Sequence, residues 1–312
     1  MKDLSAAAIN VFFADINENR TGSFATQLPS FNEVDMDAWI FLYKNLPNSD
    51  KRVSYEILHT TGIHISDDTF LGKLGKGNST EGKRKYAAIV SSYTGQCKSC
   101  QGGYEWLKKA DGYLTQIYKF VNKYNEVPGS QDALEPAYKN SQAYSQDGMY
   151  FMTKVANDLV GVTGFDAVFE TQEGQFNCPK QECKYDIKIL NNYNGAWIEC
   201  KSYQNPSAIP TNQLLKYLSQ PIESLREISY YFNKDKLSAT GDLQEADGKA
   251  RRGVRTVFLS IAKEIFNSNR NLFIGLRLRL NDGTLVNNEL LFETYCQESD
   301  YNNVLYDFVK IK

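Results

Sequence analysis

Histidine is nearly missing from this chain: 312 residues carry 2, His59 and His64. That leaves almost no room for chemistry built on two or three imidazoles, such as an HNH-type nuclease centre or a His-rich zinc hydrolase. The two lie five apart, off the one-turn spacing of a helical metal pair, and are expected to be structural. An excess of either charge sign is also missing. Lys+Arg is 35 against 37 Asp+Glu, a net charge of -2, which rules out a basic coat over the whole surface but leaves room for a local basic groove. No stretch approaches the ~20 apolar residues of a membrane span. The opening run MKDLSAAAINVFFADI is broken by Asn10 and Asp15 with no small-residue cleavage site after it, so no signal peptide is expected. What remains is ordinary globular material: 42% hydrophobic and 23% charged residues, enough for one large domain or two modest ones. The 20 Tyr and 17 Phe supply cores and flat faces for stacking.

Four of the cysteines form two local pairs among turn formers, Cys97 with Cys100 and Cys178 with Cys183; Cys200 and Cys296 stand apart. Two such loops meeting in space would make a four-thiolate structural Zn²⁺ site; disulfides and unrelated thiols are the alternatives. Cys97-x-x-Cys100 follows no βαβ pattern, so a redox role is not favoured.

The first ~135 residues read mainly helical. Asp35–Leu46 and Tyr104–Tyr124 have helical apolar spacing, the second with Trp106, Leu107, Ala110, Leu114, Ile117 and Val121 on one stripe. Leu71–Lys85, Gly-rich and basic, reads as a solvated loop, with a phosphate-contacting loop of Lys73, Lys76, Lys83, Arg84 and Lys85 as the sharper alternative. Val127–Pro136 reads as a linker. Beyond it come a helix over Asp147–Val160, strands at Gly164–Glu170, Lys184–Leu190 and Ala196–Tyr203, and a helix with Thr211 as its N-cap. An amphipathic helix carrying Val254, Val257, Phe258, Ile261 and Ile265 follows, then a hairpin over Leu272–Phe292 in which Arg277 and Arg279 alternate with leucines. The expected class is α/β (α+β), with a helical region over residues 1–135 and a second domain over residues 136–312.

Two of these strands carry chemistry. Alternation puts Trp197, Glu199 and Lys201 on one face and Ile198 and Cys200 on the other. A four-residue turn, Asn192–Gly195, sets Asp186 opposite Lys201 and Lys188 opposite Glu199, making Asp186 and Glu199 diagonal neighbours. Two carboxylates with the Cys200 backbone carbonyl form an all-oxygen set suited to Mg²⁺ (or Mn²⁺), and Lys201 adds a point charge that can orient water or stabilise charge on a phosphate. A rival assignment takes Asp166 as the first acid and Asp186-x-Lys188 as the second motif. A hairpin with plain cross-strand ion pairs needs no function at all.

Asp186, Glu199-x-Lys201 and Gln213-Leu-Leu-Lys-Tyr217 on the following helix resemble the PD-(D/E)XK (restriction-endonuclease-like) nuclease superfamily, with the Q-x-x-x-Y helix of its RecB-like members. Tyr185 stands where the family has proline. The resemblance covers Asp147 to Leu280 and implies an αβββαβ core with Asp186, Glu199 and Lys201 at a Mg²⁺-dependent phosphodiesterase site that Gln213 and Tyr217 complete. It implies a nucleic acid substrate, DNA or RNA. A helix-borne extra acid is common in the family, and Asp147 and Asp158 are the candidates here. The segments ECKSY, YYFN (Tyr230–Asn233) and LYDFVKIK resemble nuclease domains of bacterial polymorphic toxins. That likeness implies delivery into a target cell without a signal peptide, and a cognate immunity protein as partner. The alternatives are a cytoplasmic type II restriction endonuclease and a non-enzymatic, zinc-stapled interaction module.

Overall fold

A computed structural model describes residues 58–95, 104–139, 143–159, 167–172, 184–189, 197–220, 222–238 and 240–312. The expected helix at Asp35–Leu46, the paired cysteines Cys97, Cys100, Cys178 and Cys183, and Asp166 lie outside the described residues. The chain divides into two compact units: Met1–Asn125 with Glu135–Ala143, and Glu126–Leu134 with Tyr144–Lys312.

In the first unit α1 (Leu58–Ile65), α2 (Asp68–Leu74), α3 (Ser79–Gly95) and α4 (Tyr104–Tyr124) pack around Phe70, Leu74, Tyr86, Ile89, Leu114, Ile117 and Val121. The loop expected at Leu71–Lys85 is instead the end of α2, a tight turn and the start of α3. Asp67 caps α2 by accepting the Phe70 N–H at 3.0 Å. A Cβ on Gly82 would lie 1.9 Å from the Leu71 carbonyl oxygen, so glycine lets the two helices cross closely. Three of the five basic residues bond within the unit: Lys73 Nζ donates to Asn122 O at 2.8 Å, Lys85 Nζ to Leu74 O at 3.2 Å, and Arg84 forks onto Glu81. Glycine and lysine density reads as a loop because Leu71 and Leu74 are the buried apolar residues inside the segment, while Phe70 and Tyr86 flank it.

Two short helices, α5 (Ser130–Ala133) and α6 (Glu135–Tyr138), occupy the expected linker, and the boundary between the units falls inside it. Gly129 enters α5 at φ 78°, and a Cβ there would meet the Phe169 carbonyl oxygen at 1.8 Å. The Phe169 N–H in turn donates to Pro128 O at 3.0 Å. The start of that segment is therefore built onto the sheet.

The second unit runs α7 (Ala143–Leu159), β1 (Ala167–Gln172), β2 (Lys184–Ile189), β3 (Trp197–Lys201), α8 (Thr211–Leu218) and β4 (Ile228–Phe232). It continues through α9 (Lys234–Leu237), α10 (Leu243–Ser260), α11 (Ala262–Ser268), α12 (Arg270–Gly275) and α13 (Glu289–Glu298) to β5 (Val309–Ile311). The strands form one sheet in the order β1-β2-β3-β4-β5. The first three are antiparallel neighbours; β4 lies parallel to β3, reached through α8, and β5 parallel to β4. Leu214, Tyr217 and Leu218 of α8, at helical spacing, cover Ile228, Tyr230 and Phe232 of β4, with Val254, Phe258 and Phe308 in the same core.

Three local expectations need correction. Pro210, not Thr211, occupies the N-cap of α8, and no side chain caps it; the fixed φ of proline positions the turn instead. The amphipathic stretch around Val254 is two helices, broken at Ile261 (φ -136°). The hairpin at Leu272–Phe292 is α12, a single bridge between Arg279 and Leu285, and the start of α13. Leu272 and Phe273 are buried as a helical pair, and Arg277 ends the turn in the left-handed region at φ 52°. Arg279 donates to Gly283 O at 2.8 Å, which ties it to its own turn.

Candidate active site

The register decides how the two acids meet. Ile187 pairs with Ile198 and Lys188 with Trp197, so the count from Lys188 sets Asp186 level with Glu199. The pairing expected from a four-residue turn is therefore two residues out. Regular pairing of β2 with β3 ends at Ile187, and a side chain takes over: Asp186 Oδ2 accepts the Cys200 N–H at 2.6 Å. Cys200 is buried too, so β3 is covered on both faces from Ile198 to Lys201.

Glu199 is 4% exposed and Lys201 6%. Lys201 Nζ donates to Glu199 Oε1 at 2.5 Å and to Gln213 Oε1 at 2.9 Å. Gln213 Nε2 returns to Glu199 Oε1 at 3.0 Å and reaches the Tyr217 hydroxyl at 3.2 Å. The Tyr217 hydroxyl donates to Glu199 Oε2 at 2.8 Å. Both carboxylate oxygens are thus satisfied by three different side chains. Gln213 and Tyr217 act together because residues four apart share one face of a helix. The far end of the strand is pinned by Asn233, whose N–H donates to Lys201 O at 3.0 Å and whose amide donates to Ser202 Oγ at 3.0 Å.

Burial disfavours the Lys201 ammonium, yet the charges of Glu199 and Asp186 and the hydrogen bond to Glu199 outweigh it, so its pKa lies above the ordinary lysine value. For Tyr185, Tyr217 and Tyr230 burial and the neighbouring Glu199 charge act in one direction, and all three phenols are held neutral. The set is therefore a carboxylate pair with one fixed cation inside a wall of neutral tyrosines.

Asp147 and Asp158 do not join it. Asp147 bonds Lys236 at 2.6 Å and Asp158 bonds Lys312 at 3.1 Å. Among the described residues no cluster of three or more His, Cys, Asp or Glu side chains could hold a metal ion. The donors present are two carboxylates on neighbouring strands. Their hard oxygens suit Mg²⁺ or Mn²⁺, with waters completing the shell, and do not suit a thiolate-seeking metal.

Aromatic side chains to which the sequence reading gave no role at the site build the surroundings. Tyr185 stacks on Tyr217 (ring centroids 4.1 Å) and leans on Trp197 (4.6 Å). Lys188 Nζ lies 4.1 Å from the Trp197 ring centre, and Lys201 Nζ 5.6 Å from that of Tyr203. Alternation from Glu199 already put Trp197 on the site face; the place of Tyr185 follows only from the end of the β2–β3 pairing. His64 is buried in the other unit and His59 has no described side chain. No helix among the described residues is long and apolar enough to cross a membrane. No family model, curated protein or solved structure matches this chain.

Proposed function

We propose that the chain is a metal-dependent nuclease that hydrolyses phosphodiester bonds, with Asp186, Glu199 and Lys201 at the reacting centre. One observation carries this: a carboxylate and a lysine, both more than nine-tenths buried, are held by a glutamine and a tyrosine from one helix, beside a second carboxylate on the next strand. Burying an ion pair is costly, and well-packed apolar residues would stabilise the same place at least as well. Its retention in a four-membered hydrogen-bond network is what a site needing fixed charge requires. The helix–three strands–helix–strand order from α7 to β4 supports the PD-(D/E)XK resemblance, as does the Gln213–Tyr217 contact with Glu199.

Asp186 and Glu199 would hold Mg²⁺ or Mn²⁺, which supplies Lewis-acid polarisation of the phosphate and an acidified water. A water oxygen adds to phosphorus and gives up a proton to solvent, one ester P–O bond breaks, and the leaving alkoxide takes up a proton from solvent. Lys201 is a poor proton acceptor, because its neighbours hold it charged; its part is to steady negative charge as it develops on the phosphate. Gln213 and Tyr217 hold the Glu199 carboxylate in one orientation.

The test is incubation of the full chain with supercoiled plasmid and Mg²⁺, with Glu199→Gln and Lys201→Met as near-isosteric controls whose folding is checked by thermal melting. Loss of cleavage in both is expected; full activity in both removes the assignment. For the biological setting we propose a toxin effector countered by an immunity protein, on the segments ECKSY, YYFN and LYDFVKIK. Killing on expression, abolished by Lys201→Met, is the expected result. Discrete plasmid fragments without toxicity would indicate a restriction endonuclease instead.

A further inference from the structure

Lys188 is fixed to the reacting centre through a continuous run of rings. Its ammonium sits over Trp197; Trp197 packs on Tyr185, Tyr185 stacks on Tyr217, and the Tyr217 hydroxyl holds Glu199. Cross-strand pairing sets Lys188 level with Trp197, so the backbone also locates it. Trp197 and Glu199 are two residues apart on one face of β3, which places them about 7 Å apart along the strand. That is the scale of one sugar-phosphate step in an extended nucleic acid strand. A lysine on an ordinary solvated sheet face swings freely; this one is partly buried and held on the broad face of an indole, an interaction that favours a cation strongly when water is displaced.

We propose that Lys188, positioned by Trp197, contacts the phosphate next to the one being cleaved, so that the site grips an extended nucleic acid strand over two successive phosphates. This rests on the nuclease assignment for its substrate class. Lys188 has no part in bond breaking, so its removal acts on binding. The alternative motif Asp186-x-Lys188 makes Lys188 the catalytic lysine; Lys201 touches Glu199 and Lys188 touches Trp197, which separates the two roles.

The experiment measures fluorescence anisotropy of the full chain with a labelled single-stranded DNA and the matching RNA, over a salt series, in the Glu199→Gln background. The variants are Lys188→Met, Lys188→Arg and, as a distant exposed lysine, Lys310→Met. Lys188→Met should weaken binding about five- to tenfold and reduce the slope of log affinity against log salt by about one phosphate contact. Lys188→Arg should recover most of the affinity, and Lys310→Met should change neither. With Glu199 restored, Lys188→Met should raise KM and leave kcat within about twofold. Unchanged affinity and salt slope in a normally melting Lys188→Met protein overturns the proposal, as does a matching loss in Lys310→Met. If Glu199→Gln abolishes cleavage while Lys188→Met binds normally, the nuclease assignment survives and the Lys188 contact fails. If Lys188 governs oligonucleotide binding but no divalent metal supports cleavage, the contact survives and the hydrolysis assignment fails.

Discussion

Each unit buries ionisable side chains among tyrosines, a histidine in the helical unit and a glutamate–lysine pair in the sheet unit, and the two do so in opposite ways. In the helical unit His64 is 3% exposed, stacked 4.3 Å from Tyr118, and bonded through Nδ1 to the Tyr86 hydroxyl at 2.7 Å. Burial drives its pKa down to about 4, and the one nearby carboxylate, Asp67, pulls only weakly the other way. The imidazole is kept neutral and behaves as a polar aromatic. In the sheet unit, Glu199 and Lys201 are buried just as deeply, yet Glu199 and Asp186 hold the Lys201 ammonium charged, and Gln213 and Tyr217 bond to the pair. Similar surroundings thus neutralise a lone base and preserve an ion pair. The difference lies in the partners, not the depth of burial.

Several variants would break or sharpen that contrast. The largest effect is expected from Lys201→Met, which leaves Glu199 buried opposite an apolar chain. Urea unfolding should show a loss of about 3–5 kcal/mol, much of it regained in the Glu199→Gln/Lys201→Met double variant. A single-variant cost under ~1 kcal/mol would mean that Glu199 is not held by its pairing. Next comes pH. The His64 pKa is depressed in the folded state, so between pH 6.5 and about 4 the unfolded chain takes up a proton that the folded chain refuses. Its contribution is therefore whole above pH 6.5 and falls by about 3 kcal/mol as the pH drops towards 4. His64→Phe should flatten that part of the stability curve, and an unchanged curve would show that His64 titrates normally. Tyr217→Phe removes the hydroxyl that donates to Glu199 and accepts from Gln213, and should cost about 1.5–3 kcal/mol. Asp67→Ala, losing both a helix cap and the acceptor of the Tyr118 hydroxyl, should cost about 1–2 kcal/mol, seen as a shift in the melting of the helical unit.

How much of this was legible in the sequence depended on local pattern. Ile187, Ile189 and Ile198 alternate with polar neighbours, so the strands bearing the acids could be read directly, and the four-residue spacing of Gln213 and Tyr217 put both on one helical face. Register could not be read. A two-residue slip keeps every side chain on its face, so hydrophobic pattern gives no warning. The helices at Leu71–Lys85 and in Leu272–Phe292 were missed for a related reason. Gly82 is required by a tertiary crossing, and the Arg-Leu alternation after Leu276 spans a left-handed turn. The aromatic support of Lys188 was beyond reach because it joins residues from two strands.

The most direct measurement is the plasmid assay with matched variants. Wild-type chain with Mg²⁺ should nick or linearise supercoiled DNA, EDTA should stop it, and Glu199→Gln and Lys201→Met, each confirmed as folded, should reduce the rate at least about a hundredfold. Cleavage that survives in both folded variants would contradict the assignment of this buried acid–lysine pair as the reacting centre.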